Sequence, residues 1–197
     1  MLEQRIQQHF IDGADLKFQA GPVLSKPISL AVQAVLACVT SGGKVLACGA
    51  GPSGLLAAHF VAHFIGRFER ERPGLAAMAL PSDPAELLAD SADAADADRF
   101  ARQVRALGES SDVLLALSAS GESAAVLAAV QAAHEREMTV VALLGGQGGA
   151  VARALRDTDV QVTVPHERAS RVHEVHMLML HCLCDCVDAQ LLGVQED

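Results

Sequence analysis

The sequence predicts an α/β fold with three layers, a five-stranded parallel sheet covered by helices on both faces. Three observations predict it. Short apolar runs recur along the chain, each followed by a turn and a helical stretch. The runs are continuous rather than alternating, as strands buried on both faces are. The composition is rich in Ala, Leu and Val but only 3% aromatic, with no Trp or Tyr, which suits helices packed closely on a sheet. The 197 residues suffice for one sizeable core, so 1–197 is read as a single domain.

The elements follow in order. Leu2, Ile6 and Phe10, four apart, predict a helix over 2–18. A second helix is expected over 27–41, with Pro27 in its first turn and a stripe of Ile28, Val32, Val35, Leu36 and Val39. These N-terminal helices are assigned to oligomer packing. Lys44–Cys48 is the first strand, Gly49-Ala50-Gly51-Pro52-Ser53 a turn, and 54–69 a helix. Leu75–Leu80 is the second strand. An acidic, alanine-rich stretch, Asp83–Asp98, follows and is expected to be mobile. A helix over 97–107 leads to the third strand, Asp112–Leu117, and a helix over 122–136 to the fourth, Thr139–Leu144. A short helix after Gly149, a fifth strand, Val160–Val164, and a long helix over 169–191 close the chain.

Composition excludes some functions. The net charge is −9 and no Lys/Arg run occurs, so direct nucleic-acid binding is not expected. The N-terminus, MLEQRIQQHF, lacks a signal-peptide pattern, and no apolar run is read as reaching the ~20 residues of a membrane span. A cytoplasmic location is expected, with no membrane partner. Cys182, Cys184 and Cys186 are spaced C-x-C-x-C, which is wrong for a zinc ribbon, and are expected to pack reduced in the core.

Ligands of parallel sheets sit beyond the carboxyl ends of the strands, here the turns at 49–53, 80–84 and 118–123. Ser118-Ala119-Ser120-Gly121-Glu122-Ser123 ends a central strand and opens a helix. Unpaired amides and the helix dipole favour an anion there, and Gly121 is expected to let the backbone approach it. A helix cap explains one serine. Three within six residues point to phosphate binding by Ser118, Ser120 and Ser123, joined by Ser53 from the first turn. Glu122 runs against this unless its carboxylate points away.

Among eight histidines, His59 and His63 share a helix face, a common metal-ligand spacing. His173 and His181 lie ~12 Å and ~80° apart on the last helix, off its apolar stripe, and spacing alone does not join them in one site. His176 is read as structural, and His9, His134 and His166 have no evident partner.

Taken together, Gly43–Gly49, His59-Phe60, Arg67–Pro73, Arg105–Gly108, Asp112–Ser118 with Ser120-Gly121, and the Arg171–Asp188 helix resemble the sugar-isomerase (SIS) domain. Within it they resemble the branch that holds bacterial phosphoheptose isomerases and the DnaA initiator-associating protein. The resemblance implies a flavodoxin-like sheet and a homotetramer with sites between subunits. It also implies conversion of sedoheptulose 7-phosphate into a heptose 7-phosphate through an enediol, by a Glu and a His. His181 matches the catalytic His, and His63 stands at the Glu position. His173 stands where the family has Gln, so zinc would be held by His59, His63, His173 and His181. The departures are Ala50, Pro52, Leu56, Ala92-Asp93, Ala119 and Glu122, while the four serines are kept. The expectation drawn is a sugar-phosphate-binding tetramer of weak or absent catalysis that regulates replication initiation with DnaA, to which Leu191-Leu192 would offer a surface. The alternatives are an active heptose-phosphate isomerase, with His63 and His181 catalytic, and an all-histidine zinc protein.

Overall fold

A computed structural model describes residues 1–80 and 97–193. The turn at 81–84, the acidic stretch up to residue 96 and the Ala92-Asp93 pair lie outside the described residues. Along the described chain run α1 (Leu2–Thr40), β1 (Val45–Gly49), α2 (Pro52–Ile65), β2 (Ala77–Leu80), α3 (Arg99–Leu107) and β3 (Val113–Ser118). Then come α4 (Ala124–Glu135), β4 (Thr139–Gly145), α5 (Gly149–Ala154), β5 (Val160–Val164) and α6 (Ala169–Leu192).

All strand pairs are parallel, in the order β2-β1-β3-β4-β5. This is the flavodoxin-like order, whose switch point lies between β1 and β3. Side chains alternate between two cores. Val45, Ala47, Val113, Leu115 and Leu117 point toward α1, α2 and α6. Leu46, Cys48, Leu114, Ala116 and Val140 point toward α3, α4 and α5. Period-two alternation with both faces covered explains why each strand reads as an unbroken apolar run.

The N-terminal region differs from expectation. One 39-residue helix replaces the expected pair, with Pro22 and Pro27 inside it. Proline removes an amide and crowds the carbonyl four residues earlier. Here those carbonyls belong to Phe18 and Val23, residues 85% and 63% exposed on the solvent side of the helix. Ala20, Leu24, Ala31 and Val32, on either side of the prolines, are buried, and this packing outweighs the local break.

Two helices, α1 and α6, contain windows of mean hydropathy 1.6 and 1.3, long and apolar enough to cross a membrane, contrary to the sequence reading. In α6 the apolar residues are spent on the sheet, with Val172, Val175, Met179, Leu183 and Val187 buried. The cysteine expectation also needs correcting. Cys184 is buried, but Cys186 is exposed and Cys182 half-buried, lining a groove between α1 and α6. The i, i+4 pair turns away from the face that carries Cys184.

Candidate active site

The site is built from the ends of β1 and β3 and from three helix N-termini. The first turn is tight. Gly51 caps α2 at φ 56°, a left-handed backbone that favours glycine, and Pro52 follows at the first helical position. The Ser53 amide donates to the Ala50 carbonyl at 3.2 Å, and the buried Ser53 hydroxyl lies 3.2 Å from Nε2 of His173.

The serine turn is held largely by its own side chains. The Ser118 hydroxyl accepts from the Gly121 amide at 3.0 Å, Ser120 from the Glu122 amide at 3.2 Å, and Ser123 caps α4 by accepting from Val126 at 3.5 Å. Each hydroxyl oxygen accepts a bond inside the protein, so each O–H proton can be donated to a ligand. The first-turn amides of α4 have no intrahelical acceptor and add further donors. Between the turns lies an open cleft of about 310 Å³, which also reaches Ala169 at the start of α6. The N-terminal ends of α2, α4 and α6 therefore converge on one space, and their dipoles favour an anion there.

The structure bears on two expectations about this turn. Gly121 has φ 69°, and a Cβ on it would meet the Gly148 carbonyl at 2.0 Å. Its small size is required by the contact with the next loop. Glu122 is exposed, with its carboxylate 4.0 Å from the Arg153 guanidinium, a screened pair at the cleft rim.

Deeper along α2 and α6 the histidines meet. His59 Nε2 lies 2.9 Å from His181 Nε2, and the ring centroids of His59 and His63 are 4.5 Å apart. One potential ligand atom from each of His59, His63 and His181 lies within 4.8 Å of the others. The fourth histidine, His173, is not brought to this cluster within the chain; it sits with Ser53 at the cradle. The contacts Ser53–His173 and His59–His181 show that α2 and α6 run side by side in the same direction. Burial, then the neighbouring His63 and His181, pushes the His59 pKa down, so His59 is neutral near pH 7. Two imidazole nitrogens at 2.9 Å require that one donate a proton to the other, or that both give lone pairs to a cation. Three such nitrogens match the number and type of protein donors in catalytic zinc sites.

Sequence reasoning missed the supports of this cluster. The Arg67 carbonyl lies 3.3 Å from His63 Nδ1, Phe68 packs 5.3 Å from the His63 ring and 5.5 Å from that of His181, and Arg72 donates to the His63 carbonyl at 3.1 Å. Backbone contacts of this kind leave no mark on residue type. The remaining histidines do have partners. Arg171 reaches His9 at 2.6 Å, His134 pairs with Asp159 at 2.7 Å, and His166 Nδ1 accepts from the Arg168 amide at 3.0 Å. His176 is fully buried on the Leu144 carbonyl at 3.0 Å, and burial pushes its pKa down to about 4.

A flavodoxin-like sheet with an anion cradle at its switch point defines a class of phosphate-ligand α/β proteins. Comparison with known proteins narrows the class. The SIS domain profile matches residues 12–145, and the chain belongs to the SIS domain family. It is 60% identical over 196 residues to a phosphoheptose isomerase of Methylibium petroleiphilum, covering 100% of this chain and 98% of that one. It is 48% identical to a phosphoheptose isomerase of Neisseria meningitidis, covering 97% of each. Among solved structures, the phosphoheptose isomerase of Neisseria gonorrhoeae matches with a TM-score of 0.87 and 43% identity, covering 96% of this chain and all of that one. The enzyme from Francisella tularensis matches with a TM-score of 0.86 and 36% identity, covering 95% and 98%.

Proposed function

We propose that the chain is a cytoplasmic sugar-phosphate isomerase that interconverts an aldose and a ketose phosphate, with sedoheptulose 7-phosphate as the ketose. The observation that carries this reading is the three-histidine cluster, set along the same two parallel helices whose N-termini face the serine turn that opens α4. The relatives named phosphoheptose isomerase support the substrate. Ser53, Ser118, Ser120 and Ser123 hold the phosphate, with the helix N-termini supplying the counter-field. An unprotonated His63 removes the proton from the carbon beside the carbonyl while His181 donates one to the carbonyl oxygen, giving the enediol. The reverse transfers then place the proton on the neighbouring carbon and take one from the neighbouring hydroxyl. Imidazole, with an ordinary pKa of ~6.5, is a competent base at neutral pH without the glutamate of the family.

Zinc is the cofactor this cluster would take, on His59, His63 and His181, as an alternative to the metal-free proton transfer, since an imidazole nitrogen that ligates a metal neither accepts nor donates that proton. A bound cation would polarise the carbonyl oxygen as a Lewis acid. The assembly is a homotetramer, supported by the exposed apolar side of α1, where Phe10 and Phe18 are 77% and 85% exposed. The test is turnover of sedoheptulose 7-phosphate by the full chain, with and without zinc. Turnover lost in His181→Ala supports the reading. No turnover in either condition sinks it.

A second reading, a regulatory tetramer that binds DnaA with little or no catalysis, draws on His63 in place of the glutamate and on the exposed pair Leu191 and Leu192. Retention of purified DnaA by the parent, lost in a Leu191→Ser/Leu192→Ser variant, would favour it. Robust turnover together with no DnaA retention would remove it.

A further inference from the structure

We propose that Arg72 is a positioning residue for His63. With Asp188 it holds the loop that determines which nitrogen of the His63 ring carries the proton. The proposal deepens the isomerase reading and rests on it for the role of His63 as base.

The argument begins at the end of α2. Its last carbonyls have no intrahelical donor. Arg72 supplies one, donating from Nη2 to the His63 carbonyl at 3.1 Å and from Nη1 to the Phe64 carbonyl at 3.0 Å and the Pro73 carbonyl at 3.2 Å. A cation is favoured at this pole of the helix, and the guanidinium lies 5.8 Å from the centre of the Phe64 ring. Arg72 Nε donates to Asp188 Oδ1 at 2.5 Å, with the two side chains only 1% and 4% exposed. Asp188 is seven residues beyond His181, two turns along the same face of α6. One planar fork thus ties the end of α2 to α6 beside the place where His63 and His181 meet.

The loop closed by this fork carries the Arg67 carbonyl, 3.3 Å from His63 Nδ1. A carbonyl only accepts, so Nδ1 holds the proton and Nε2 keeps the lone pair. That tautomer presents Nε2 as base or metal ligand, and a partner on the opposite nitrogen fixes it. Asp188 Oδ2 is buried with no hydrogen-bond partner among the described residues, where the aspartate's bonding rests on the Oδ1 contact with Arg72. Lysine has the charge but lacks the fork, so it cannot serve the α2 carbonyls and Asp188 together.

The test uses the full chain with ¹⁵N-labelled histidine, His63 being assigned through His63→Gln. Long-range ¹H–¹⁵N spectra at neutral pH should show the parent His63 as the Nδ1–H tautomer. In Arg72→Lys and Asp188→Asn it should become a mixture of tautomers. With sedoheptulose 7-phosphate, kcat should fall about ten- to a hundredfold in both variants while KM holds. An unchanged His63 tautomer in both variants, whatever happens to thermal stability, overturns the proposal. Should Arg72→Lys not fold, Asp188→Asn, which keeps the shape of the side chain, decides alone. An inactive parent would defeat the isomerase reading, while the spectra would still decide the positioning role.

Discussion

The serine cradle and the histidine cluster lie at successive positions along α2 and α6 and are built on different principles. The cradle is a matter of backbone. Its donors are helix amides and hydroxyls, all but Ser53 within six consecutive residues, and Ala119 and Glu122 supply amides as well as any residue would. The cluster is a matter of side chains. His59 and His181 are 122 positions apart in sequence and meet only because α2 and α6 pack together. The difference teaches what to expect on the isomerase reading: anion binding should tolerate substitution, whereas the proton-transfer end should be retuned by exchanging a single side chain such as His63.

The predictions separate the two ends. His181→Ala should lower turnover of sedoheptulose 7-phosphate by about 10²- to 10⁴-fold, the usual worth of a general acid or base. Ser120→Ala should instead raise KM about tenfold with kcat retained, as loss of a hydrogen bond to an anion does. If Ser120→Ala lowers kcat as far as His181→Ala, steady-state kinetics will have broken the division.

Acid should act next in size, through the cradle end of α6. His176, whose ring centroid is 6.5 Å from that of His173, has its pKa pushed down by burial to about 4 from an ordinary 6.5. The unfolded chain therefore binds the extra proton first. Stability from this group is complete above about pH 6.5 and falls toward pH 4, by on the order of 3 kcal/mol. The lowered pKa values of His173 and His59, both caused chiefly by burial, act in the same direction. Urea melts at about pH 7 and about pH 5 should show the loss. No difference between them would contradict the burial argument.

Ser118→Ala should cost about 1 kcal/mol in the same melts, because the Gly121 amide keeps only its longer 3.3 Å contact with the Ser118 carbonyl. The exposed Ser120→Ala should cost less than about 0.5 kcal/mol. The smallest expected effect is none at all. His59→Ala should abolish zinc uptake by the purified chain, while His173→Ala leaves the metal content unchanged. Metal analysis that finds zinc lost in His173→Ala would return that residue to the ligand set, through a neighbouring copy.

The same contrast explains what could be read beforehand. The five strands and the turn at 118–123 were legible because burial on both faces and helix N-terminal serines leave local signatures. Ser118, Ser120 and Ser123 could be singled out for that reason, and the structure sets them in a turn that opens a helix. The two prolines in α1 misled because tertiary burial of Leu24 and Ala31 overrode a local signal. His173 could not be assigned from spacing, since its neighbour Ser53 is 120 positions away. Arg72 and the Arg67 carbonyl stayed hidden because they act on, or through, backbone atoms.

One feature of the packing bears on molecular length. Ser53 and His59 are six residues apart on α2, and His173 and His181 eight apart on α6, so cradle and cluster stand ~9–12 Å from each other at helical rise. A ligand gripped by its phosphate is therefore gauged by its carbon backbone. On the isomerase reading, triose and tetrose phosphates should fall short of the imidazoles, and only longer chains should lay a carbonyl against them. Two parallel helices act as a ruler, selecting by size before stereochemistry is consulted at all.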